Sequence, residues 1–204
     1  MVTMLPFTAL AEISVGVKQN DWAEYDVSST GVPMADHDAE WARMEVDGVE
    51  GLRVNVTFFS LLSDGTMINA TENLDFESGQ LIDYFIIPAG LEKGDSFYSN
   101  MDGDVTIEEV ETKTYAGAAR TVISGTTVVA DTAAETLWFW DQATGVLVEA
   151  RSVYPEFTLD TVMNKTGLWE PQIFGVDPPV FYGLVIFAVV IIGVIAVFAL
   201  RRKK

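Results

Sequence analysis

Few residues in this chain have the chemistry for catalysis. The one histidine, His37, sits in "ADHDAEW" between Asp36 and Asp38, with Glu40 two residues beyond. One nitrogen and three carboxylates are a conceivable metal donor set. Consecutive side chains diverge, however, and seldom close a coordination sphere unaided, so a solvated acidic loop is the simpler expectation. The absence of cysteine excludes thiolate zinc sites, disulfides and cysteine nucleophiles. The chain contains no HExxH, no GxSxG, no Walker loop and no GxGxxG opening a helix. Nucleophile–base pairs are correspondingly scarce, and the chain reads as a non-enzyme. The enzymatic alternative is a carboxylate-only hydrolase, which needs two carboxylates about 5–9 Å apart in a pocket.

The stretch closest to a calcium loop is "YSNMDGDVTIEE". Asn100, Asp102, Gly103, Asp104 and Glu109 fall at the third, fifth, sixth, seventh and twelfth positions of a helix–loop–helix site. Tyr98 occupies the first, where Asp belongs, and the flanks read as strand. The expectation is therefore a calcium site on a β-turn, from Asp102, Asp104 and Glu109, or else an ordinary hairpin turn. No other cofactor is expected. Three sequons, at Asn55, Asn69 and Asn164, are candidate glycosylation sites.

The elements that must position these residues read as mainly β. "WAEYDVS" sets Trp22, Glu24 and Asp26 against Ala23, Tyr25 and Val27, and "EWARMEVDG" sets Trp41, Arg43 and Glu45 against Met44 and Val46. "LRVNVTFFSLL", the turn Ser63-Asp64-Gly65-Thr66 and "MINATENLDF" make a hairpin. "ETLWFWDQATGVLVEARSVYP" makes another, closed by Asp141 to Gly145. Trp138 and Trp140 share one face of that strand and Phe139 takes the other, which predicts a central hairpin with tryptophans in the core. Short helices are expected only near Pro33–Glu40 and Ser78–Tyr84. "VGVKQNDWAEY" and "AGLEKGDSFY" echo each other, aligning Gly16 with Gly90, Asp21 with Asp95 and Tyr25 with Tyr98, as two tight turns feeding strands.

The two ends place the molecule. Phe181 to Leu200 holds no charge, and at about 1.5 Å per residue it matches a bilayer core of about 30 Å. Arg201, Arg202, Lys203 and Lys204 follow, so the positive-inside rule puts the tail in the cytoplasm and the rest outside. Trp169, Phe174, Phe181 and Tyr182 suit the outer interface. "MLPFTALAEIS" carries the small-x-small pattern Ala9-Leu10-Ala11 without a basic leader, and reads as a truncated signal peptide or as an apolar first strand. The net charge of −18 disfavours nucleic acid and attracts cations and basic partners.

The predicted organisation is a truncated signal at 1–11, an extracellular β-rich domain at 12–167, a linker at 168–180, a transmembrane helix at 181–200 and a basic tail at 201–204. The ectodomain is expected to be one antiparallel, curved sheet or sandwich-like unit with few short helices. The "G-x-K-x-x-D-W-x-x-Y" opening, the "G-x-x-K-G-D" middle, the "W-D-x-x-T-G-x-L" hairpin and the C-terminal anchor resemble archaeal-type exported surface proteins. Residues 22–154 also resemble the curved sheets of lipoprotein carriers, in which a sheet wraps an apolar cavity under helices. Neither resemblance assigns a functional residue. The function expected is display of an ectodomain for binding, adhesion or envelope structure, toward a protein or glycan partner outside the cell. The alternative is a carrier for a lipid or other apolar ligand in a concave sheet. Nothing in the residues reads out an oligomeric state.

Overall fold

The computed structural model describes residues 13–31, 38–129 and 134–201, with backbone alone for 129 and 193–201. The predicted signal segment, Asp36, His37 and the last three basic residues lie outside the described residues. Strands β1 (Trp22–Gly31), β2 (Ala39–Glu50), β3 (Arg53–Leu62) and β4 (Met67–Asp75) form one antiparallel meander. Strands β7 (Glu109–Tyr115), β8 (Ala118–Val129), β9 (Ala134–Asp141), β10 (Leu147–Val153) and β11 (Phe157–Thr166) form a second. The meanders join where β1 pairs with β11, giving a nine-stranded sheet in the order β4-β3-β2-β1-β11-β10-β9-β8-β7.

Between the meanders, residues 76–108 cross from one sheet edge to the other and carry the small hairpin of β5 (Ser96–Ser99) and β6 (Gly103–Thr106). This crossover lies on the face that carries Tyr25, Met44, Val56 and Trp140, against which it buries Leu81, Ile86, Ile87, Leu91 and Phe97. The alternation expected for β1 and β2 is observed: Ala23 and Tyr25, then Ala42, Met44 and Val46, are buried. On the opposite face Arg43 bonds Glu24 at 2.8 Å and stacks over Trp22.

The predicted hairpins form as read. Asp64 accepts the Thr66 N–H in the β3–β4 turn. In the β9–β10 loop, Asp141 Oδ1 accepts both the N–H (3.0 Å) and the hydroxyl (2.8 Å) of Thr144. Gly145 there has a φ of 71°, and a Cβ on it would meet the Ile87 carbonyl oxygen at 2.0 Å. The hairpin is central in the sheet, and its loop end is buried on both faces. Trp140 is fully buried under the crossover, while Phe139, on the other side, packs beneath Lys113 of β7.

Two expectations are corrected. Ser78–Tyr84 is not helical: Gly79, Asp83 and Tyr84 all have positive φ, and the Asp75 carboxylate takes up the N–H groups of Glu77 and Ser78 in a turn. Of the other helical candidate, the described Ala39 and Glu40 belong to β2. The turn echo holds in its first half. Asp21 and Asp95 each accept the backbone N–H three residues back, from Lys18 and Glu92, and each N–H returns to that residue's carbonyl. The tyrosines do not correspond, because Tyr25 is buried with its hydroxyl on the Leu147 carbonyl whereas Tyr98 is exposed.

The chain after β11 docks back on the sheet. Trp169 donates its indole N–H to the Tyr115 carbonyl and is stacked by Arg120, so it packs half-buried on the domain. Gln172 pairs with Gly117 and Ala119 at the β7–β8 turn. Helix α1 (Pro178–Arg201) then begins with Asp177 as its cap and proline in its first position, a favoured start. Its apolar side chains from Val180 to Ile192 are largely exposed, and Phe174, at the tip of the turn before it, is 92% exposed. Among the described residues, whose side chains stop at Ile192 in this helix, none forms a helix long and apolar enough to cross a membrane.

Candidate ligand groove on the inner sheet face

The crossover covers only part of its sheet face. Beside it lies a groove of about 250 Å³ lined from β1, β2, β3, β9, β10 and β11, with Asp83 and Phe85 of the crossover on one side. Since β3 and β9 contribute to the same cavity, the sheet curves around it. Val27, Thr161, Ala150 and Trp138 form one cross-strand row along its floor. The inward residues here are small, and that is why space remains: Ala42 and Ser60 face each other across β2 and β3.

The aromatic walls are held by their own contacts. Trp138 stacks on Trp140, takes the edge of Tyr84 at 5.2 Å and donates its N–H to Thr127 at 2.9 Å. Phe85 is held between Tyr25 and Phe58. Asp83 and Tyr84 both have left-handed backbones, with φ of 46° and 51°. Two adjacent non-glycine residues in that region cost free energy, and they persist only where the surroundings over-determine them. Here Tyr84 is clamped at both ends. Its carbonyl accepts the Trp140 indole N–H at 2.7 Å, while its hydroxyl donates to the Asp102 carboxylate and lies 2.9 Å from Ser99 Oγ. Burial, then the Asp102 carboxylate, pushes the Tyr84 phenol above its ordinary value, so it stays a neutral donor.

The residues singled out from sequence fall elsewhere. Asp102 is engaged by Tyr84, Asp104 sits on β6 opposite Tyr98, and Glu109 opens β7 opposite Ser124. The acid that shares a cleft with Asp102 and Asp104 is Glu108, which accepts from Thr126. Strand alternation carries the signal for this, since 104, 106 and 108 have one parity and 109 the other. Among the described residues no three His, Cys, Asp or Glu side chains gather as a metal site. Asp38 accepts from the Ser63 hydroxyl.

The sequon asparagines all lie on strands. Asn55 of β3 accepts from Asn73, and Asn69 lies exposed on the edge strand β4. Asn164 is the extra residue of a bulge in β11 and donates to Asp26. The groove residues were missed by sequence reading, although the run of small residues at inward positions was the available signal. Trp140 is core as expected, whereas Trp138 is also groove wall.

No protein-family model matches this chain, and no curated protein matches it in sequence. The class of the molecule is thus defined by the fold itself: a mainly β protein built on one large antiparallel sheet, followed by one helix.

Proposed function

We propose that this chain is a single-pass membrane-anchored surface protein that displays its β-domain outside the cell as a binding module. The observation that carries the reading is α1. Its backbone helix of 24 residues would extend about 36 Å, and the sequence from Phe181 to Leu200 holds no charge. A helix apolar all round, leaving a domain on a short docked linker, is unfavourable in water and favourable in lipid. Phe174 and Tyr182, exposed around its start, suit the interface with headgroups. The four terminal cations favour a cytoplasmic tail, which sets the β-domain and its sequons outside.

Protease protection in intact cells tests this. The β-domain is expected to be digested from outside while a C-terminal tag stays protected, and the tagged fragment is expected to remain in the membrane after alkaline extraction. A β-domain resistant until the cells are lysed would refute the reading.

A second reading, a module that holds an apolar ligand in its concave sheet, is favoured by the groove of about 250 Å³. Small-ligand sites are concave, mostly apolar and largely pre-formed, as these aromatic walls are. Mass spectrometry of the purified chain under native conditions, looking for co-purifying small molecules, separates this reading from display of a surface alone.

A further inference from the structure

We infer that the free edge of β4 is a docking site for an extended, positively charged segment of a partner protein, which adds to the nine-stranded sheet as a further antiparallel strand. This rests on the display reading above and names the chemistry of the partner. Three observations carry it.

The first is the backbone. In an antiparallel pair, successive residues point their N–H and C=O groups alternately toward the neighbouring strand and away from it. The Leu62 N–H bonds the Thr66 carbonyl and the Phe76 N–H bonds the Leu52 carbonyl, so the even-numbered residues of β4 face β3. Met67, Asn69, Thr71, Asn73 and Asp75 therefore present both groups outward. Asp75 already uses its two, exchanging bonds of 3.0 Å with Gln80 in an antiparallel bridge. The edge thus has a geometry that accepts a strand, and among the described residues the places from Met67 to Asn73 are not taken.

The second is a contrast between the two edges of the sheet. Edge strands are normally blunted by charged side chains, proline, a bulge or a covering segment. At the other edge, β7 carries Glu109, Glu111 and Lys113, and the linker covers its end, where Trp169 bonds the Tyr115 carbonyl and Gln172 the Gly117 carbonyl. By contrast β4 has no lysine and no proline, and its register with β3 is unbroken. Its start is apolar on both faces, with Met67 56% and Ile68 49% exposed. Met67 also ends the cross-strand row Trp41, Leu61, Met67, which an added strand would continue.

The third is charge. From Val54 to Glu92 the chain has no lysine or arginine, while Asp64 and Glu72 bracket Met67 and Ile68. A strand with apolar residues in its middle and cations at its ends complements this pattern. A second copy of β4 does not. The antiparallel self-pairing that uses all the free places sets Met67 against Asn73 and Ile68 against Glu72, twice over, and joins two chains of net charge −18.

The test titrates the full chain, in maltoside micelles at physiological salt, with the labelled peptide KKTVTVIK, following anisotropy and amide hydrogen exchange. A glycan on Asn69 would stand beside this edge, so the chain is produced in a host that adds none. The peptide is expected to bind at least tenfold more tightly than its charge-reversed form EETVTVIE, and than the same peptide N-methylated at both threonines, which cannot donate to the edge. Exchange of the Asn69 and Thr71 amides is expected to slow at least tenfold on binding. Asn69→Pro removes one outward N–H without breaking a bond to β3, a position where proline is tolerated. It is expected to weaken the peptide at least tenfold with the melting curve unchanged. Glu72→Lys, which leaves the backbone intact, is expected to do the same should the proline variant not fold.

No binding of KKTVTVIK, equal binding of the N-methylated peptide, equal binding to wild type and a folded variant, or slowed exchange elsewhere than β4 would overturn the inference. Equal binding of EETVTVIE would end the basic-partner assignment, as would slowed exchange in β4 that grows with protein concentration in the absence of peptide, which would make a second copy the occupant. Protease protection tests the display reading separately, so its failure is distinguishable from all these outcomes.

Discussion

Two neighbouring rows on one sheet face behave in opposite ways. In the row nearer α1, Tyr25 faces Met163, and Leu147, Trp140 and Ile123 run side by side, all essentially without exposure. One step farther out, Val27, Thr161, Ala150 and Trp138 run across the same strands, and beside them lies an open groove. The strands, the twist and the alternation are shared; what differs is side-chain volume and what the crossover lays on top. The first row lies under the buried part of the crossover, with Ile86, Ile87 and Phe97, whereas the second meets its margin, at Asp83, Tyr84 and Phe85. One end of the face is thus core, and the other is surface shaped by core.

Substitutions break this comparison at different strengths. The largest effect is expected at the buried Asp141, whose carboxylate holds the β9–β10 loop and is bonded by Arg120 at 2.7 and 3.2 Å. Arg120→Met leaves that carboxylate buried without its cation and removes the stack on Trp169. A loss of about 3 kcal/mol or more is expected in urea unfolding, with the linker freed to proteolysis. Next, Met44→Ala in the packed region should cost about 2–5 kcal/mol, because a fully buried side chain leaves a cavity. Leu159→Ala on the groove wall should cost well under half of that. Equal losses at Met44 and Leu159 would mean that the groove closes in solution.

A smaller effect isolates one hydrogen bond. Tyr25 is wholly buried, and burial raises its phenol above the ordinary value of about 10. A raised phenol contributes stability that is complete below about pH 10 and is lost as the pH rises from there toward the folded-state value. Tyr25→Phe should therefore cost about 1 kcal/mol at neutral pH, by leaving the Leu147 carbonyl without its donor, and should lessen the alkaline loss of stability above pH 10. Denaturation followed at pH 7 and pH 11 reads both. The smallest effect concerns glycans. If the β-domain is exported, peptide mass spectrometry should find Asn69 modified before Asn55 or Asn164, since it alone of the three stands exposed on an edge strand.

The strand parities of β1 and β2 were legible in the sequence because alternation is a local property: each residue's face follows from its neighbours. The hairpins at Asp64–Gly65 and Asp141–Gly145 were legible for the same reason, as the turn chemistry is contained in four or five residues. The first half of the echo at Asp21 and Asp95 likewise needs only the residue three back. Reading failed where geometry depends on distant chain. Ser78–Tyr84 has helix-compatible residues, yet Trp140 and Asp102 pin Tyr84 into a left-handed turn. The docking of Trp169 was equally illegible, because Arg120, which stacks on it, lies some fifty residues earlier.

By itself, then, the sequence determined the β-rich character, the faces of individual strands, the main turns and the uncharged stretch that follows them. Each depends on composition or on a short period. Only the tertiary structure decided that β1 pairs with β11, that residues 76–108 cross one face, and that the small side chains of β2, β3, β10 and β11 converge where the crossover does not reach. A groove is a deficit of volume among residues far apart in the chain. No local pattern encodes it, because whether an alanine leaves space depends on what the rest of the chain lays above it.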